Sequence, residues 1–282
     1  MSWTAVLCFA WTLFTFTPST TSSPLSAGFC SIEEQHVLSC SNSSLTAKSC
    51  CTETPGGLMI LAQMYSWEPA LGPGDTWLMH GLWNDYCNGS YPADCDPKRA
   101  YTDIPNLLSS HHQKPLIKAM AKSWKNDPPI TGVNGTSPDL WAHEWSKHGT
   151  CMSTLSPACY PHYAPKLEAV DYFKTAFQLY LTLPTHDYLS DCGIVPSASA
   201  TYDLADIQSC LVYATEALPR VGCDKNGTLN ELWYVYHLRG RVPHGRFEGT
   251  DSPTKSNCPA HGVKYLPKAR AKTGSKEAGS KL

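Results

Sequence analysis

Four ionisable side chains stand close together near the middle of the chain, in the run Leu140-Trp141-Ala142-His143-Glu144-Trp145-Ser146-Lys147-His148-Gly149-Thr150-Cys151. On an α-helix, at about 100° per residue and with His143 set at zero, Lys147 falls at about 40°, Glu144 at about 100° and His148 at about 140°. His143, Glu144, Lys147 and His148 therefore share one face. Trp141 and Trp145 fall beside His148 and are expected to anchor the helix to a sheet. Glu with Lys or His is also common on solvated helices. Two Trp in so short a run argue instead for burial, and a buried face with this charge content is costly without a function.

A second histidine segment is Thr76-Trp77-Leu78-Met79-His80-Gly81-Leu82-Trp83. His80 is expected at a strand end, beside a glycine that lets a ligand approach closely. A lone His is weak evidence; its value lies in pairing with the helix. Histidines with a Lys and a Glu suit phosphoryl transfer within RNA. The 2′-OH must lose a proton and the 5′-oxygen must gain one, which two His in different protonation states can do. Cations aimed at the phosphate stabilise the five-coordinate transition state. RNA carries its own nucleophile, so no metal or cofactor is expected. The spacing agrees: a zinc helix places its His at i and i+4, whereas His143 and His148 are one residue further apart.

These residues need elements to hold them. Leu58–Trp67 reads as a buried strand, and Asp75–Trp83 as a second one ending near His80. Residues 84–103 read as a loop, Lys114–Lys125 as a helix, and Asp127–Ser137 as another loop. Pro138–His148 reads as the helix of the cluster, with Ser137 as N-cap, Pro138 at its first position and Gly149 after its last periodic residue. Lys166–Leu183 and Tyr202–Leu218 follow as helices. Leu229–Leu238 alternates as a strand, with Leu232, Tyr234, Tyr236 and Leu238 on one face. Helices and strands mix without a βαβ rhythm. The expected class is α+β, one disulfide-stapled domain with a mainly antiparallel sheet packed with several helices.

The rest of the chain bounds the setting. Ala5 to Phe16 is an apolar run too short for a membrane span, so residues 1–23 read as a secretory leader, with cleavage between Thr20 and Ala27. The catalytic domain is then 24–266. Twelve of the thirteen cysteines follow the leader, with no CxxC pair, which favours disulfides in an oxidising compartment over zinc. Sequons at Asn42, Asn88, Asn134 and Asn226 point to a glycoprotein. A secreted, extracellular monomer is expected, with a vacuolar or lysosomal-type compartment as the variant. The basic tail, 267–282, carries +4 and is expected to be disordered; the total of −2 leaves the body at −6. An acidic body is a poor long-range trap for nucleic acid, so RNA must be held at a small local site.

At its two histidine segments the sequence resembles the ribonuclease T2 family, fungal type, which carries H-G-L-W and H-E-W-x-K-H-G-T-C motifs. Here they are His80 to Trp83 and His143 to Cys151, and the resemblance runs over roughly residues 30 to 260. It implies a secreted endoribonuclease of low base specificity that works through a 2′,3′-cyclic phosphate to a 3′-phosphate. It implies that His148 is the general base, His80 the general acid and His143 a phosphate holder, with Glu144 and Lys147 stabilising the pentacovalent phosphate. It implies a base site at Trp83, Asp85 and Tyr91; Gln63 is the candidate for a second. It further implies the pairs Cys30–Cys51, Cys40–Cys87, Cys50–Cys159, Cys95–Cys151 and Cys223–Cys258, leaving Cys192–Cys210. The family usually has Pro after H-G-L-W, and this chain has Asn84. The rival reading is a secreted binding or signalling protein on the same fold, with a protein partner and incidental catalysis.

Overall fold

Largely apolar runs without internal Pro make β1 (Gly56–Met64) and β2 (Leu78–Tyr86). The computed structural model, which describes residues 30–268, pairs them antiparallel. Later in the chain come β3 (Thr201–Tyr202), β4 (Arg220–Cys223), β5 (Leu229–Arg239), β6 (Arg246–Thr250) and β7 (Val263–Lys264). The main sheet has the order β2-β1-β5-β4, with β6 also pairing β5, and every pairing in it is antiparallel. β3 and β7 form a separate ribbon. The helices are α1 (Ile32–Gln35), α2 (Ile104–Ser110), α3 (Lys114–Ser123), α4 (Pro128–Thr131), α5 (Ser137–Lys147), α6 (Leu167–Leu181), α7 (Thr185–Asp191) and α8 (Leu204–Thr215). The protein is a single α+β domain.

The two faces of the sheet have different work. Met59, Leu61, Leu82, Leu232 and Tyr234 point into the main core, with Trp145, Tyr172 and Phe173 of the helices. The opposite face holds a smaller cluster of Leu58, Ile60 and Val235, flanked by Trp83, Trp233 and Cys40. This alternation is the period of two expected of strands.

Several element boundaries differ from the sequence reading. β2 starts three residues late and runs on to Tyr86, so His80 sits near its beginning and Asp85 is in the strand, not in a loop. α2, α4 and α7 occupy stretches that gave no clear helical period. α5 starts one residue early: Thr136 is the N-cap, and the Asp139 carboxylate accepts from its backbone N–H at 2.6 Å and its hydroxyl at 2.7 Å. The expected helix Tyr202–Leu218 is shortened because Thr201 and Tyr202 pair with β7. The disulfides join Cys30–Cys51, Cys40–Cys87, Cys50–Cys159, Cys95–Cys151, Cys192–Cys210 and Cys223–Cys258.

The expected leader lies outside the described residues, as does the tail from residue 269 on. The tail's first residues are held. The Lys268 Nζ donates to the carbonyls of Leu71, Pro73 and Thr76, and burial lowers its pKa to about 8. Among the described residues no helix is long and apolar enough to cross a membrane.

Candidate active site

His80 owes its direction to an irregularity in β2. Ala62 pairs with Gly81, but the next residue, Gln63, pairs with Met79, so His80 is an extra residue with no partner on β1. Such a bulge re-aims a side chain. It brings His80 to the same face as Trp83, whose ring it meets edge-on at 5.2 Å. The His80 carbonyl accepts from Trp124 Nε1 at 2.7 Å, and the Trp124 carbonyl accepts from Trp141 Nε1 at 2.9 Å. Two indoles thus tie the bulge to α5. Trp145 Nε1 donates to the Arg99 carbonyl at 2.5 Å. The indole N–H groups thus tie α5 to flanking segments, while the Trp141 and Trp145 rings pack in the core with Met59, Leu61 and Leu82 of the sheet, the anchoring expected from the sequence.

The groups from α5 converge on this bulge. Glu144 is fully buried; its Oε2 accepts from Trp83 Nε1 at 2.8 Å and its Oε1 lies 3.5 Å from His80 Nε2. The carboxylate fits because residue 81 is glycine: a Cβ there would stand 1.8 Å from Glu144 Oε2. The His148 ring stacks on Trp83 at 5.2 Å and lies edge-on to His143 at 6.4 Å. His148 is the C-cap of α5, and Gly149 after it leaves room for Trp145, which a Cβ would meet at 2.4 Å.

The two imidazoles beside Trp83 are driven in opposite directions. Burial, with Lys147 and the neighbouring rings, lowers the His148 pKa to about 2. Burial also works against the charged form of His80, but the carboxylates of Glu231 and Glu144 outweigh it and hold its pKa above the usual value. His143 is lowered by burial and by Lys147. Burial raises Glu144 to about 7, against the pull of His80, Trp83 and Lys147. One ring neutral and the other charged is the arrangement that acid–base pairs require.

Comparison with known proteins decides the family. The model of the Ribonuclease T2 family matches residues 28–255. The chain belongs to that family. It is 41% identical over 236 residues to Ribonuclease Le2 of Lentinula edodes, covering 83% of this chain and 96% of that protein. It is 38% identical over 231 residues to Ribonuclease T2 of Aspergillus oryzae, covering 82% of this chain and 81% of that one. Among solved structures, the T2 ribonuclease Actibind superposes with a TM-score of 0.78 at 36% identity, over 86% of this chain and 99% of that one. The protein is a T2-type endoribonuclease.

The residues expected to bind bases in this T2 ribonuclease are not all free to do so. Trp83 is part-exposed, but one face carries His148 and its N–H holds Glu144. Asp85 is buried on the same sheet face, and burial raises its carboxyl to about 7. Tyr91 is 62% exposed, with Lys147 Nζ 5.9 Å from its ring centre. Gln63 departs from the expectation: it is fully buried, its Nε2 donates to the Leu183 carbonyl at 3.0 Å and its Oε1 accepts from Thr185 at 2.7 Å. Its amide is occupied inside the core and has no face for a base.

Contrary to their spacing on an ideal helix, His143 and His148 come within reach of a shared cation. One ligand atom each from His143, Glu144 and His148 lie within 4.8 Å of one another. His148 is the C-cap of α5, at φ −110° and ψ −47°, and its ring lies 6.4 Å from that of His143.

Two neighbours escaped the sequence reading. Glu231 Oε1 lies 3.6 Å from His80 Nδ1, and its Oε2 accepts from Arg220 at 2.8 Å. Trp233 meets Trp83 edge-on at 5.3 Å, with the Arg220 guanidinium 4.0 Å from its ring centre. A signal was present: with Leu232 and Tyr234 in the core, Glu231 and Trp233 must take the other face of β5. The Oδ1 of Asn84 accepts from Gly57 N at 2.7 Å, and its Nδ2 donates to Glu53 and to the Cys151 carbonyl. The Asn84 amide is thus spent on tying β2 to the neighbouring segments.

Proposed function

We propose that the protein cleaves single-stranded RNA by transesterification without a metal, through a 2′,3′-cyclic phosphate, with little base specificity. The observation that carries this reading is the opposed environment of His148 and His80 on either side of Trp83 and Glu144. His148 takes the 2′-OH proton as the 2′-oxygen attacks phosphorus. The P–O5′ bond breaks, and His80 gives its proton to the departing 5′-oxygen. His143, disfavoured as a cation, holds a phosphate oxygen through its N–H, while Lys147 and Glu144 meet the charge and protonation of the five-coordinate phosphate. Water then opens the cyclic phosphate with the two imidazoles in exchanged roles, leaving a 3′-phosphate. Trp83, Asp85 and Tyr91 border the space for the base, and stacking on aromatic rings tolerates any base.

The same reading places the enzyme outside the cell as a monomeric glycoprotein. Six disulfides support the oxidising location, and the exposure of Asn42, Asn88, Asn134 and Asn226 supports the glycans. One experiment tests both parts. The full chain is expressed in a secreting host, recovered from the medium and treated with a glycosidase, then assayed on total RNA in excess EDTA beside His148→Ala. Expected are a mass drop on deglycosylation, cyclic-phosphate ends from the wild type and none from the variant. Activity abolished by EDTA and restored by a divalent cation sinks the mechanism. A glycan-free chain retained inside the cell sinks the location.

A further inference from the structure

Glu231 and Arg220 come from β5 and β4, on the side of His80 away from α5. We propose that Glu231 is a positioning residue for the general acid: braced by Arg220, it holds the His80 ring through Nδ1 so that Nε2 faces the leaving oxygen. The inference rests on His80 being the acid. The ring has two nitrogens, and the α5 groups lie on the Nε2 side, with Glu144 Oε1 at 3.5 Å. That side is where the phosphate must lie. Nδ1 points the other way and has no hydrogen-bond partner among the described residues; Glu231 Oε1 faces it at 3.6 Å, an ion-pair distance. The carboxylate is itself fixed, its Oε2 accepting from Arg220 Nη1 at 2.8 Å.

The bracing is built into the sheet. Glu231 pairs across β4 with Gly222, where a Cβ would stand 2.9 Å from the Glu231 Cβ and 3.0 Å from the Arg220 Nη1. Arg220 lies over Trp233, the residue it pairs with, so its guanidinium is held on one face by an aromatic ring. All three ionisable side chains are largely screened, at 9% exposed for His80, 17% for Glu231 and 13% for Arg220. A pair this sheltered keeps more of its interaction than a surface one. The titratable and charged groups facing His80 are thus Glu144, Lys147, His143 and His148 from α5 and its C-cap, and Glu231 from β5 with Arg220 behind it. Removing the Glu231 charge makes the His80 proton easier to lose.

The test separates acid catalysis from general damage. Wild type, Glu231→Gln, Glu231→Asp and His80→Ala are assayed on two substrates sharing one nucleoside. One is a dinucleoside phosphate, whose alkoxide leaving group needs a proton; the other is the nucleoside 3′-(4-nitrophenyl phosphate), whose leaving group departs without one. Glu231→Gln is expected to lose about tenfold or more in kcat on the dinucleotide and to stay within about twofold on the nitrophenyl ester. Its alkaline limb in kcat/KM moves to lower pH, and Glu231→Asp recovers part of both effects. Equal loss on both substrates, no loss on either, or an unmoved alkaline limb overturns the proposal. His80→Ala judges the underlying assignment separately: if it loses both substrates equally, His80 is not the acid, whatever Glu231 does.

Discussion

Gly81 acts by what it lacks. The Glu144 carboxylate occupies the space a Cβ would fill, 1.8 Å from where that atom would stand. Glu144 has little freedom to retreat, because Trp83 holds Oε2 and the residue is fully buried. Gly81→Ala is therefore expected to push the carboxylate away from His80 and cost about 100-fold in kcat/KM, as ångström-scale misplacement does. The variant should fold, since the Gly81 backbone is not in the left-handed region and the clash falls on side-chain atoms alone. Steady-state kinetics alongside near-ultraviolet circular dichroism checks this, and a variant with native spectrum and near wild-type activity would show that Glu144 is not held where it matters. At the same scale, the motif residues His80, His143, Glu144, Lys147 and His148 were legible from type and spacing. Gln63 was misread, because a buried glutamine bound to a distant helix leaves no local trace.

β2 shows why elements were harder to read than residues. Trp77 continues the apolar pattern upstream, while Asn84 and Asp85 look like loop residues, so the strand was shifted towards its N-terminal end. Asn84 is tolerated inside because three groups from distant segments satisfy its amide. The bulge was invisible for the same reason: it is a relation between two strands, and only the pairing partner reveals the extra residue. β4 and β6 were missed because four or five residues give too little alternation to recognise. The long helix α6 and strand β5, with many periodic positions, were close to expectation. Asn84→Ala should strand the Gly57 N–H and one Glu53 oxygen contact, and lower stability by about 2–3 kcal/mol. Urea unfolding measures it. A shift under about half a kilocalorie would mean that water replaces the amide without cost.

Across the whole molecule, charge and covalent links set the behaviour. The sequence outside the tail carries −6, and the cations beside the site are Lys147 and Arg220 among the described residues. Substrate capture should therefore depend weakly on salt. The slope of log kcat/KM against log salt is expected between about −0.7 and −2, which corresponds to one to three phosphates neutralised on a single strand. A slope steeper than about −4 would reveal a broad basic track that the charge distribution does not support. The overall class, a stapled α+β domain, was readable from composition and cysteine count, and the antiparallel sheet followed from the absence of a βαβ rhythm. Among the staples, neighbouring Cys50 and Cys51 are bound to Cys159 and Cys30, on well-separated parts of the chain. Exchanging those two partners moves each sulfur by only one residue along the backbone, so the nearest wrong isomer is almost as easy to form as the right one. Correct oxidation then becomes a sorting problem, decided by a catalyst that can reopen bonds. Refolding in a simple oxidising buffer should stall in that swapped form, with its core largely assembled.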